Sequence, residues 1–150
     1  MDWDLVLAAA HHLAVFTLVG IFAAEFAMVL PGLSGQRIGQ LAKLDAAYGL
    51  MALIVIIVGA LRVFLGAIDA GYYLSNFAFW AKMAAFLAMG LLTIPPTIAI
   101  RRWMKTAGNA TDYVPPEEEI TASRRYLHIQ AGVLLLIPIF AAAMARGYGG

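Results

Sequence analysis

Residues 5–30 have the sequence LVLAAAHHLAVFTLVGIFAAEFAMVL, which contains only three ionisable side chains. A helix rises by about 1.5 Å per residue, so a helix of this length can cross a hydrocarbon core about 30 Å thick. Three further apolar stretches of similar size follow, at residues 44–65, 77–100 and 126–145. The chain is therefore predicted to cross a membrane four times.

The composition agrees with a membrane protein. Of the 150 residues, 63% are hydrophobic and 13% are charged, whereas soluble domains carry roughly 25% charged residues. Backbone polar groups in lipid must be paired within a segment, and β-barrel alternation is absent, so the spans are predicted to be helices. Short linkers then make neighbouring helices antiparallel. We predict an all-α, integral membrane antiparallel four-helix bundle that forms one transmembrane domain over residues 1–150.

The sequence also disfavours several classes of function. The formal net charge is +1, which gives no basic footprint for nucleic acid, and no cysteine is present. A P-loop, a His-Glu-x-x-His motif, an EF-hand loop and a nucleophile motif are all missing, so hydrolytic and nucleotide-driven enzymes are disfavoured. A cleaved signal peptide is not expected, because Asp2 and Asp4 stand where a basic region would be. Whether the protein is an enzyme stays open.

Lysine and arginine are concentrated in or beside the first and third linkers. Seven of the ten lie there, namely Arg37, Lys43, Arg101, Arg102, Lys105, Arg124 and Arg125. Cytoplasmic loops are enriched in these residues. We therefore predict a multi-pass protein with both termini on the non-cytoplasmic side. The acidic run at residues 117–119 additionally predicts a helix start ahead of the fourth span.

Polar residues inside the spans form two belts about 20 Å apart at the helical rise. The outer belt, on the side of the termini, contains His11, His12, Arg62, Lys82 and Arg146. The inner belt, on the side of the first and third linkers, contains Glu25, Asp45, Tyr48, Pro95-Pro96-Thr97, Arg124, Arg125 and His128. Ionisable residues in a membrane cost about 2.5–3.5 kcal/mol each, so by default they face the bundle interior and mark a functional site.

The outer belt favours a haem b site with an electron-transfer function. Imidazoles on bundle helices can bind haem iron, and basic side chains can pair with the propionates. We predict His11 or His12 as the metal ligand, with Arg62, Lys82 and Arg146 as further cofactor-binding residues. His128 lies at the opposite membrane face, so it cannot complete a bis-histidine pair with either within one monomer.

The inner belt favours an alternative, which is transport of protons, ions or a small solute. Glu25, Asp45, Tyr48 and His128 are predicted as proton-relay or buried polar residues. The stretch between the belts on the first helix carries only Thr17, so a path would need water or movement. A homodimer could supply the helices that a transporter needs. A third alternative is an accessory or assembly subunit of a larger membrane complex.

Eight strings resemble those of a bacterial family of small predicted membrane proteins known only as a domain of unknown function. They are HHLAVF (11–16), AE (24–25), LDAAYGL (44–50), GALRVF (59–64), YLSN (73–76), FWAK (79–82), IPPT (94–97) and MARG (144–147). The resemblance covers the whole chain and implies a four-helix fold in a bacterial inner membrane, but it supplies no activity. The early histidines and FWAK also resemble the haem-binding bacterial protoporphyrinogen oxidases and copper-resistance D-type membrane proteins, which implies His11 or His12 as an axial haem ligand.

Overall fold

The computed structural model describes residues 2–150, and it is all-α over this range, as predicted. Its helices are α1 (Trp3–Met28), α2 (Gly35–Leu65), α3 (Ala70–Ser75), α4 (Phe77–Ala107) and α5 (Glu117–Ala145). Helices α1, α2, α4 and α5 are each long and apolar enough to cross a membrane. The four predicted spans are therefore confirmed as four long helices. The side of the membrane on which the termini lie, and any association with other chains, stay predictions.

Three of the long helices extend well beyond the apolar stretches that predicted them. Helix α2 begins at Gly35 rather than near residue 44, α4 continues to Ala107 rather than ending near residue 100, and α5 begins at Glu117 rather than near residue 126. A high hydrophobicity identifies only the part of a helix that can lie in lipid. It does not predict the polar helical turns beyond that part. The acidic run opens α5, as predicted from the preference of carboxylates for a helix N-terminus.

The second linker contains the short helix α3, which hydrophobicity did not predict. Asp69 caps its start by accepting a hydrogen bond from the Gly71 backbone N–H. Asn76 then ends α3 and caps α4, since its side-chain oxygen accepts from the N–H groups of Ala78 and Phe79. Asn76 is fully buried. The two caps together turn the chain back toward the membrane within a few residues.

The long helices pack in the order α1, α2, α4, α5. Helix α1 packs mainly against α2, α4 packs mainly against α5, and α2 joins the two pairs through α4. The most deeply buried apolar side chains lie toward the first and third linkers, and they include Ile38, Leu41, Ile100, Trp103, Ile120 and Leu127. No buried residue follows Val55 in α2 or Gln130 in α5. In α2 and α5, the buried residues therefore lie in the half of the bundle that carries the inner belt.

Candidate functional site

Two carboxyl groups of the inner belt are buried between α1 and α2. Glu25 belongs to the buried stripe of α1, which also contains Ala14, Leu18 and Phe22, and its side chain is 2% exposed. Asp45 lies on α2 and is 7% exposed. The two carboxyl groups are close enough for their charges to interact. The only ion pair within residues 2–150 joins Arg102 to Glu119, so neither Glu25 nor Asp45 is paired with a basic side chain there.

Hydroxyl groups from α2 and α4 surround this carboxyl pair. The Thr97 hydroxyl donates a hydrogen bond to Asp45 Oδ1 over 2.5 Å. The buried Tyr48 lies close to both Glu25 and Thr93. Its ring also packs against Phe22, with 6.2 Å between the ring centroids. The inner belt therefore brings together predicted residues from three helices.

Helix α5 contributes Gln130, which sequence reasoning missed. The Thr93 hydroxyl lies 3.3 Å from Gln130 Oε1 and 2.9 Å from the Met89 carbonyl oxygen. Gln130 is 1% exposed, and its Nε2 group has no hydrogen-bond partner among residues 2–150. The available signal was an amide within an apolar span, since burying an unpaired amide is costly. We call Glu25, Asp45, Tyr48, Thr93, Thr97 and Gln130 the carboxyl cluster.

The structure does not bring His128 into the carboxyl cluster. His128 is exposed, and its Nδ1 donates to the Arg124 carbonyl oxygen one turn earlier, over 2.7 Å. Its ring lies 4.8 Å from the Phe26 ring, centroid to centroid. Arg124 donates from Nη1 to the Val29 carbonyl oxygen over 2.6 Å. These residues instead join α5 to the end of α1.

The outer belt places His11, Arg62 and Lys82 together. The His11 ring lies against Gly59 of α2, where an added Cβ would be 3.2 Å from the ring carbon Cε1. His11 is half-buried, and it is close enough to Arg62 and Lys82 for their charges to act on it. Two buried nitrogen atoms, His11 Nδ1 and Arg62 Nε, have no hydrogen-bond partner in the part of the chain that the structure describes. Lys82 Nζ lies 5.2 Å from the centroid of the Phe79 ring, an arrangement that favours the cation.

His12 and Arg146, the other predicted residues of the outer belt, are both exposed. His12 Nδ1 donates to the Ala8 carbonyl oxygen of its own helix over 2.7 Å. The His11 and His12 rings are 6.3 Å apart and nearly perpendicular, at 85°. Arg146 lies just beyond the end of α5. Of the two histidines, only His11 faces the bundle interior.

A metal site with several protein ligands is not formed in the part of the chain that the structure describes. No group of three or more histidine, aspartate or glutamate side chains comes together within residues 2–150. His11 has one unpartnered ring nitrogen that could serve as a single axial ligand, with Arg62 and Lys82 nearby. Haem b binding at His11 stays a prediction.

The comparisons with known proteins identify a family for this chain but no activity. A search of curated proteins and a search of solved structures each found no match. The comparisons give no support to the fainter likeness to protoporphyrinogen oxidases and copper-resistance D-type proteins. One family matches over residues 3–149, in agreement with the family resemblance and with the four long apolar helices. The chain therefore belongs to the family described as Predicted membrane protein (DUF2214), an integral membrane family of unknown function.

Proposed function

We propose that the protein transfers protons across the membrane, with Glu25 and Asp45 as the groups that bind the proton. The observation that carries this proposal is the burial of both carboxyl groups, close enough for their charges to interact, without a basic partner among residues 2–150. An ionised side chain within the membrane costs about 2.5–3.5 kcal/mol on insertion scales, and a second negative charge nearby adds repulsion. A bound proton or cation is therefore needed to offset the charge.

The neighbouring side chains favour a proton over a metal cation. A metal cation needs several oxygen ligands in a closed shell, whereas a proton needs only hydrogen-bonding groups that can pass it on. Hydroxyl groups surround the pair: Thr97 donates to Asp45, and Tyr48 lies close to Glu25 and Thr93. The unpartnered amide of Gln130 adds a donor that a water molecule could accept. The carboxyl cluster thus offers a short chain of exchangeable protons.

Transfer to the other membrane face requires a conformational step or transient water. On the buried stripe of α1, apolar Ala14, Leu18 and Phe22 separate the carboxyl cluster from His11. That gap is about 20 Å at the rise of a helix. Thr17 does not bridge it, because its hydroxyl bonds the Leu13 carbonyl of its own helix and its side chain is exposed. We infer a gated transfer and not an open pore.

The experiment uses purified protein in liposomes that contain a pH-sensitive dye. A potassium gradient with valinomycin imposes a membrane potential that draws protons inward. We expect the wild-type protein to acidify the interior faster than empty liposomes do. Glu25→Gln keeps the size of the side chain but cannot bind and release the proton, so its rate should fall to that of empty liposomes. Asp45→Asn should also be slow.

Asp112→Asn is the matched control, since Asp112 is an exposed carboxylate in the linker after α4. It should transfer protons at the wild-type rate. Gel filtration and circular dichroism establish that each variant is folded. A folded Glu25→Gln protein with the wild-type rate would refute the proposal. Replacing sodium with a large organic cation in both compartments separates proton flux from sodium flux.

Haem b binding is the second candidate, and the unpartnered His11 Nδ1 beside two basic side chains favours it. When bound, haem would supply one-electron chemistry, and the chain would contribute His11 as a ligand and Arg62 and Lys82 as partners for the propionates. Protein expressed in haem-replete cells should then show a Soret band. His11→Ala should lose the band, and His12→Ala should keep it because His12 faces outward. A wild-type protein without the band removes this candidate.

A further inference from the structure

A cleft between the end of α1 and the start of α5 takes no part in either candidate above. Its volume is about 360 Å³, and its lining consists of Pro31, Thr121, Arg124, Arg125 and His128. The four residues from α5 are spaced by three, four and seven positions, so they lie on one face of the helix. The cleft therefore presents two guanidinium groups and an imidazole side by side.

The lining of this cleft contains no carboxylate. Arg124 is held in place by its bond to the Val29 carbonyl oxygen and by the Phe26 ring, 5.3 Å from its guanidinium carbon. Arg125 is exposed and takes no part in the one ion pair within residues 2–150. Arginine groups bind phosphate through paired, charge-assisted hydrogen bonds. The cleft thus has the chemistry of a phosphate site.

A second, larger cleft continues from the first along α5. It has a volume of about 1130 Å³ and shares Thr121 and Arg125 with the first cleft. On one side it is lined by Tyr126 and Ile129, which are exposed and lie in the apolar part of α5. On the other side it is lined by Glu117 and Glu118, which repel an anion. A phosphate group would therefore be held at the Arg125 end, next to an apolar surface.

We propose that these clefts bind an anionic phospholipid. Its phosphate lies against Arg125 and His128, with Arg124 at the back of the cleft, and one acyl chain follows Tyr126 and Ile129. Arg125 lies where the apolar stretch of residues 126–145 begins, which is the depth of lipid phosphates. Basic clefts between membrane helices recognise anionic headgroups in this way. The adjoining apolar surface distinguishes a lipid from free phosphate.

The test is native mass spectrometry of the full chain in detergent, with phosphatidylglycerol or phosphatidylcholine added. We expect the wild-type protein to retain phosphatidylglycerol in preference to phosphatidylcholine. Arg125→Ala should weaken phosphatidylglycerol binding about fivefold, from the typical contribution of one basic residue near an anionic lipid. The matched control is Arg101→Ala, which removes an exposed basic residue at the same end of the bundle, on α4 and outside the clefts. It should bind as the wild type does.

Two further arms separate the lipid from a soluble anion. Ile129→Ser should weaken lipid binding, because it makes the acyl-chain surface polar while leaving the basic groups in place. Inorganic phosphate at millimolar concentration should fail to displace the lipid. Equal binding of the two lipids, equal binding by Arg125→Ala and Arg101→Ala, or displacement by phosphate would each overturn the proposal. Circular dichroism confirms that every variant is folded.

Discussion

The indole of Trp103 is completely buried where α4 meets α5, and its only polar group is satisfied by a single side chain. Its Nε1 donates to Glu119 Oε2 over 2.6 Å, and the same oxygen accepts from Arg102 Nη2 over 2.8 Å. Arg102 is 57% exposed, so its ion pair is screened by water. The hydrogen bond to Trp103 is therefore expected to matter more to stability than the ion pair.

Variants at Glu119 test this ranking. Glu119→Ala leaves the buried indole N–H without an acceptor, which should lower the free energy of unfolding by about 1–3 kcal/mol. Glu119→Gln keeps an acceptor for the indole and loses the exposed ion pair. This variant should therefore lower the free energy of unfolding by about 0–1 kcal/mol. Glu118→Ala, at an exposed neighbouring position, should have little effect. Unfolding in mixed detergent micelles measures all three, and equal losses for Glu119→Ala and Glu119→Gln would contradict the ranking.

At the scale of single residues, sequence reasoning found the ionisable members of the carboxyl cluster and missed uncharged ones. Glu25 and Asp45 could be predicted because charge in an apolar helix is costly. Gln130 carried a weaker signal of the same kind, an amide within an apolar span, whereas Thr93 carried none, because hydroxyl groups are tolerated in membrane helices and only tertiary contacts show their role. His11 and His12 are adjacent and point in directions about 100° apart. Which one faces inward depends on the position of Gly59 in a neighbouring helix.

At the scale of elements, the number and type of the long helices follow from the sequence, whereas their ends do not. Residues 35–43 are too polar to belong to an apolar span, yet they form the start of α2, where Ile38 and Leu41 are fully buried. The sequence signal was the helical spacing of the apolar residues Ile38 and Leu41. Hydrophobicity averaged over a whole span does not detect such spacing. The short helix α3 lies between two caps, Asp69 and Asn76, and caps are readable only when a helix is already expected.

Helix α4 contains two consecutive prolines next to the carboxyl cluster. Pro95 and Pro96 lie inside α4, between Thr93 and Thr97, and Pro96 is buried. Proline has no backbone N–H, so each one leaves a carbonyl oxygen one turn earlier without its helical donor. Weakened backbone hydrogen bonding beside the proton-binding groups is suited to the conformational step that the proposed transfer requires.

At the scale of the whole molecule, the two groups of inward-facing polar residues lie at different depths along the bundle. The carboxyl cluster lies toward the first and third linkers, whereas His11, Arg62 and Lys82 lie toward the termini. This separation could be predicted from the sequence because helical rise converts residue number into depth. The order of helix contacts could not, because four antiparallel helices can be arranged around one another in several ways.

The proposed proton transfer requires that the stripe of α1 containing Glu25 faces the bundle interior. The chain has no cysteine, so single cysteines introduced at residues 13–28 can carry a spin label without background. Collision with oxygen dissolved in the bilayer then reports which labels face lipid. We predict low accessibility at Ala14, Leu18, Phe22 and Glu25, and high accessibility at the exposed Ala23 and Ala24. High accessibility at Glu25, equal to that at Ala23 and Ala24, would mean that Glu25 faces lipid and would contradict this orientation of α1.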